Sequence, residues 1–117
     1  MQQPEQWREV PGYPNYEASS LGRIRNQRGK ILSQFPRGNL YLNVTLYRDN
    51  HPPSQLYAHQ VIAMAFIPEY DRTTRGMVIN HINHIRTDNR VSNLEWITYA
   101  ENSQAYLRYK ESIQGVA

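Results

Sequence analysis

Residues 80–102 hold a dense run of side chains able to do chemistry. Asn80, His81, Asn83 and His84 come first, Arg86 and Arg90 follow, and Asn93 and Asn102 close the run. An imidazole with an ordinary pKa of about 6.5 can take a proton from water at neutral pH. Amide oxygens are hard, neutral donors of the kind Mg²⁺ or Mn²⁺ accepts. Guanidinium groups bind phosphate through paired hydrogen bonds. The cluster sits on a polar excursion between apolar segments. Burying one unpartnered polar group costs about 1–3 kcal/mol, so several together imply a site or a tightly hydrogen-bonded loop.

The elements around the run must position it. Met77–Asn80 reads as a short strand entering the loop, and Glu95–Ile97 as the strand returning. Thr98 and Glu101 have the spacing of a capping box, with Thr98 as N-cap. A helix is expected from there to about Ser112. It places Asn102 in its first turn, where free N–H groups and the helix dipole favour an anion. Upstream, Val61, Ile62, Ala65 and Phe66 form an apolar stripe over residues 59–66, and Pro68 stops that helix. Residues 69–76 read as a charged loop. Residues 40–47 alternate: Leu40, Leu42, Val44 and Leu46 face one way, Tyr41, Asn43, Thr45 and Tyr47 the other, as in a half-buried strand. Gln55–Ala58 is its expected partner. Between Trp7 and Leu32, turn residues separate short strands near Glu17–Ser19, Arg23–Asn26 and Lys30–Leu32. Residues 1–6 are polar and expected to fray. Trp7 and Trp96 are expected in the core, and His59 is expected to cap or pack its helix.

Composition narrows the class. At 117 residues the chain is one compact unit, or two very small ones sharing a core. Hydrophobic content of 39% allows a modest core. No apolar run approaches the ~20 residues of a membrane-spanning helix, and the N-terminus lacks a signal-peptide pattern, so a cytoplasmic setting is expected. The absence of cysteine removes disulfides and thiolate zinc sites. His81 and His84 have the spacing of a zinc pair, but further ligands at suitable spacing are missing. Net charge is only +3, yet no acid lies between Glu17 and Asp49. That span carries Arg23, Arg25, Arg28, Lys30, Arg37 and Arg48, with Tyr41 and Tyr47 among them. Such a strip is either a solvated basic face or a seat for a polyanion.

Residues 78–102 resemble, without a gap, the HNH nuclease family of ββα-metal architecture. The resemblance lies in Asn80-His81-Ile82-Asn83-His84, in Asp88-Asn89-Arg90-Val91-Ser92-Asn93-Leu94-Glu95-Trp96-Ile97-Thr98, and in Glu101-Asn102. The family's three letters fall on His81, Asn93 and Asn102. Residues 59–68 look like the helix preceding the motif in phage-type members. Trp7-Arg8-Glu9-Val10-Pro11-Gly12-Tyr13 with residues 16–25 resembles the DNA-binding NUMOD4 motif.

The resemblance implies an α+β fold. A β-rich DNA-binding module would occupy residues 1–57. A connecting helix and the ββα-metal motif would occupy 58–117. It implies a metal-dependent DNA endonuclease of the phage or homing type. His81 would be the general base, with Asn93 tying the loop and holding the histidine ring. Asn80 and Asn102 would hold Mg²⁺ or Mn²⁺, with phosphate oxygens and waters completing the shell. His84 stands where relatives carry glycine, and Asn83 where they carry aspartate, so His84 is a second candidate base or a phosphate contact. Arg86 and Arg90 would clamp the backbone of double-stranded DNA, with Arg90 the nearer of the two to the scissile phosphate. Arg23, Arg25, Arg28, Lys30, Arg37 and Arg48 would contact it further away. Two rival readings are a DNA-binding protein with a degenerate, inactive site and a non-enzymatic phage assembly module. Monomer and homodimer both remain open.

Overall fold

A computed structural model describes residues 4–67, 77–98, 100–104 and 107–108. Strands β1 (Trp7–Val10), β2 (Tyr13–Ser19) and β3 (Ile24–Asn26) form an antiparallel sheet in that order. Strands β4 (Phe35–Pro36), β5 (Leu42–Leu46) and β6 (Ser54–Tyr57) form a second, also in chain order. Helix α1 (Ala58–Phe66) follows β6 directly. Strands β7 (Met77–His81) and β8 (Leu94–Thr98) make an antiparallel pair, with a 3-10 turn at Val91–Asn93 before β8. Residues 100–104 and 107–108 are helical. Glu101 N–H donates to Thr98 Oγ1 at 3.1 Å, the expected helix-capping bond. Among the described residues no helix is long and apolar enough to cross a membrane.

One apolar cluster joins these pieces. It takes Val10, Tyr13, Tyr16, Ala18 and Ile24 from the first sheet and Val44 and Leu46 from the second. Ala58, Val61 and Ile62 come from α1, and Leu94 from β8. The spacing of Ala58, Val61 and Ile62 puts them on one helical face. Burying a Val, Ile or Leu side chain is worth about 1.5–3 kcal/mol. The core therefore draws on residues both before and after position 57.

The structure corrects several expectations. β1 and β4 are strands where the sequence signals none. Of Lys30–Leu32, only Ile31 pairs, in an isolated bridge to Arg25. Residues 4–6 are held to the sheet: Ser20 N–H donates to Gln6 O at 2.8 Å, and Glu5 pairs with Arg23. Trp7 is only partly buried, with the Arg25 guanidinium 3.9 Å from its ring centre, and Trp96 is also partly exposed. Leu40 does not share the inward face of β5. It lies in the β4–β5 turn, 61% exposed, because Leu40 N–H donates to Arg37 O and the chain there turns left-handed at φ 68°. The expected loop at 69–76 and the helix end near Ser112 lie outside the described residues.

Candidate active site

The β7–β8 register sets Asn80 opposite Glu95 and His81 opposite Leu94. Asn80 Nδ2 donates to Glu95 Oε1 at 2.9 Å. Because the amide is planar, that bond fixes which side carries the oxygen. His81 is the last residue of β7, and the chain leaves it in a tight turn in which His84 N–H donates to His81 O at 2.9 Å. His84 takes φ 61°, the left-handed region that favours glycine.

The loop from 82 to 93 is closed by its own side chains. Asn93 Oδ1 accepts from Asn83 N–H at 3.0 Å. Asn93 Nδ2 donates to Asn83 Oδ1 at 2.9 Å and to Asp88 O at 2.8 Å. Asp88 takes the Arg90 guanidinium in two bonds of 2.8 and 2.7 Å. Those bonds, with a further one from Asn83, hold its carboxyl down at about 2. Asn93 is thus the buckle of the loop, and it is bonded to loop atoms rather than to the His81 ring.

The ring is held by Asn89. His81 Nε2 lies 2.7 Å from Asn89 Oδ1, and the contact is buried. An amide oxygen only accepts, so Nε2 carries the proton and Nδ1 keeps the lone pair. Tyr41 stacks beside His81 at 5.9 Å, and His59 meets it edge-on at 5.2 Å. Burial lowers the His81 pKa below 6.5, partly opposed by the Asn89 bond and the Asp88 charge, so its ring is neutral at pH 7. Burial, with the neighbouring His81, pushes His59 down to about 4. His59 Nδ1 has no hydrogen-bond partner among the described residues.

Gly22 lets the first sheet abut this loop. A Cβ there would stand 3.0 Å from the Asn89 carbonyl, and Gly22 sits at φ +90°. Val91 N–H donates to Ser20 O at 2.9 Å across the same contact.

His81 opens on a cleft of about 270 Å³ lined by Tyr41, Ile79, Asn80, His81, His84, Arg86 and Asn102. The structure brings His81, His84, both candidate ligand amides and Arg86 together there. Arg86 lies 5.1 Å from the Tyr41 ring centre and donates from Nη1 to Asn39 O at 2.7 Å. Among the described residues no three His, Cys, Asp or Glu side chains cluster as metal ligands. The Asn80 and Asn102 amides therefore fit a hard divalent ion that draws its other ligands from phosphate and water. They do not fit a tightly held zinc ion.

The other basic residues are dispersed. Arg25 pairs with Glu17 at 2.8 Å, Arg23 pairs with Glu5, and both guanidinium groups lie over Trp7. Arg37 donates to Gln55. Arg28 and Arg48 line a separate cleft of about 300 Å³ with Asn15, Tyr16, Asn26, Gln27, Tyr47 and Asp49. Lys30 lies in the turn after β3, its N–H donating to Asn26 Oδ1 at 3.0 Å. Asn89, Tyr41 and His59 are site residues that the sequence does not assign. Only Asn89 carries a signal, its place in the polar run.

Comparison with known proteins bears on both halves of the chain. Residues 56–104 match the family model described as HNH endonuclease, and residues 5–47 the NUMOD4 motif. An uncharacterised HNH endonuclease of Acanthamoeba polyphaga mimivirus is 39% identical over 103 residues, covering 86% of this chain and 25% of that protein. A second from the same virus is 30% identical over 97 residues, covering 83% of this chain and 28% of that protein. The DNA endonuclease I-HmuI of Bacillus phage SP01 is 26% identical over 100 residues, covering 83% of this chain and 55% of that protein. The chain thus spans a quarter to about half of these relatives. A solved structure of DNA binding and cleavage by the HNH homing endonuclease I-HmuI shares the fold, with a TM-score of 0.73 at 21% identity, over 96% of this chain and 60% of that one.

Proposed function

Since the chain belongs to the HNH endonuclease family and carries a NUMOD4 motif ahead of the nuclease module, we propose that it hydrolyses phosphodiester bonds of double-stranded DNA with a divalent metal ion, Mg²⁺ or Mn²⁺. Residues 1–57 serve DNA binding and residues 58–117 carry the nuclease site. The observation that carries this reading is the His81 ring. It is buried and neutral, fixed at Nε2 by Asn89, and it lines one cleft with Asn80, Asn102 and Arg86.

His81 takes a proton from water at Nδ1. The resulting hydroxide attacks phosphorus and the 3′ oxygen leaves. A base already neutral at pH 7 needs no prior loss of a proton. Asn80 and Asn102 would hold the ion, which would supply positive charge to stabilise the leaving oxygen and the phosphate. Asn89 fixes the tautomer and direction of the base, and Asn93 keeps the loop closed behind it. Arg86 adds positive charge at the cleft.

Incubation of supercoiled plasmid with the chain and Mg²⁺ or Mn²⁺ tests this, with EDTA as control. Conversion to nicked or linear DNA, abolished by EDTA, is the expected result. Retained DNA binding with no cleavage in either metal overturns the enzymatic reading and leaves a DNA-binding protein with an inactive site.

A further inference from the structure

The β4–β5 turn carries a leucine where the backbone favours glycine. Arg37, Gly38, Asn39 and Leu40 form a turn closed by Leu40 N–H to Arg37 O at 2.7 Å and by Arg37 N–H to Tyr41 O at 3.3 Å. Leu40 then takes φ 68°. For a leucine this conformation costs about 1–2 kcal/mol, whereas glycine adopts it freely. The side chain recovers little of that by burial, since it is 61% exposed.

The turn is held firmly and stands at the cleft. Asn39 Oδ1 accepts from Tyr41 N–H at 3.1 Å, and Asn39 Nδ2 donates to Tyr57 Oη at 2.9 Å. Asn39 O accepts from Arg86, and both Arg86 and Tyr41 line the cleft with His81. On the other segment that builds the cleft, Ile82 and Ile85 are 49% and 53% exposed. Leu40, Ile82 and Ile85 are thus exposed aliphatic side chains next in the chain to the cleft residues Tyr41, His81, His84 and Arg86. Proteins that bind the minor groove frequently insert apolar side chains, leucine among them, as wedges between base steps.

We propose that Leu40 enters the base stack of bound duplex beside the scissile phosphate and opens that step, bringing the phosphate into the His81 cleft. This rests on the nuclease reading. Leu40 is a positioning residue, and unstacking is the service it performs. The left-handed turn aims the side chain outward, and the Asn39 bonds keep it from folding back when it meets the bases.

The test begins by mapping the cut on plasmid DNA. A short duplex spanning that position then carries 2-aminopurine beside the scissile phosphate. Binding is followed by fluorescence with Ca²⁺ in place of Mg²⁺, and single-turnover cleavage is followed with Mg²⁺. The unsubstituted chain should raise the fluorescence on binding. Leu40→Gly should lose that rise, cleave about ten-fold or more slowly, and melt at the same or a higher temperature. A duplex with an abasic site at the step should restore its cleavage, because the stack is already broken. Unchanged cleavage or an unchanged fluorescence rise in Leu40→Gly overturns the wedge alone. So does a melting temperature that falls together with activity, which marks a structural role. No cleavage by the unsubstituted chain overturns the nuclease reading and the wedge with it.

Discussion

His81 and His84 both line the cleft, and the difference between them is environment. His81 is buried, neutral and fixed through Nε2 by Asn89. His84 is only half-buried, beyond the end of β7 in a left-handed turn at φ 61°. His81→Ala should lower cleavage by about 10²–10⁴-fold while DNA affinity stays nearly constant, because a base acts on the transition state and little on ground-state binding. His84→Ala should retain most of the rate. Single-turnover rates with gel-shift affinities for both variants decide, and the reverse pattern would make His84 the base. The family resemblance points to His81, Asn80 and Asn102 and gives the histidine ring to Asn93. Residue types do not separate Asn89 from Asn93, since both are asparagines in one polar run. Only the folded loop shows which of the two reaches the imidazole.

Asn80 gives a second test at this scale. Its Nδ2 donates to Glu95 Oε1, so Asn80→Asp replaces a hydrogen bond with two facing carboxylates. Without metal the variant should lose roughly 1–3 kcal/mol through the missing bond and repulsion. With Mg²⁺ the added charge should tighten ion binding and recover much of that loss. Melting temperature measured against Mg²⁺ concentration reads both effects. If the two proteins show the same Mg²⁺ response, Asn80 is not a ligand.

Among the elements, strand pairing decides which basic residues are available to DNA. The acid-free span from Glu17 to Asp49 suggests six equivalent contacts. Antiparallel register undoes that equivalence, because β2 and β3 set Glu17 opposite Arg25 and so return an acid from the edge of the span to its middle. Glu5 does the same for Arg23 from further away in sequence. Linear charge patterning cannot see either pairing. The strands themselves are more legible. The alternation of Leu42, Val44 and Leu46 marks β5, and the stripe of Val61 and Ile62 marks α1. β4 is not legible, being only two residues long with a proline. Arg28→Ala/Arg48→Ala should therefore weaken DNA binding and make its salt dependence shallower, by about one unit of slope for each phosphate no longer neutralised. Arg23→Ala/Arg25→Ala should change the slope little and act mainly on stability. Affinity measured over a salt series separates the pairs, and equal slope changes would show that phosphate breaks the Glu5 and Glu17 pairs.

At the scale of the whole molecule, α1 couples the core to the site. Val61 and Ile62 fill the apolar cluster, while His59 on the same helix packs between Tyr41, Tyr57 and His81. Sequence periodicity reveals the helix but not this second duty. A lone histidine beside an apolar stripe looks like any packed or capping residue until its neighbours are known. The arrangement makes stability depend on pH. His59 has an ordinary pKa of 6.5, and burial holds it at about 4 in the folded chain. Above pH 6.5 both folded and unfolded forms are neutral, and the full stability is present. As pH falls from 6.5 toward 4, the unfolded chain takes up a proton that the folded chain refuses. Stability therefore drops across that window, by roughly 3 kcal/mol at its acid end. His81, also lowered by burial, adds loss of the same sign. Chemical denaturation between pH 4 and 7 should show this slope, and His59→Phe, which keeps an aromatic ring in the cage without a titrating nitrogen, should flatten much of it. An equal slope in His59→Phe would mean that the ring is not held neutral by burial, and that the acid sensitivity arises elsewhere in the fold.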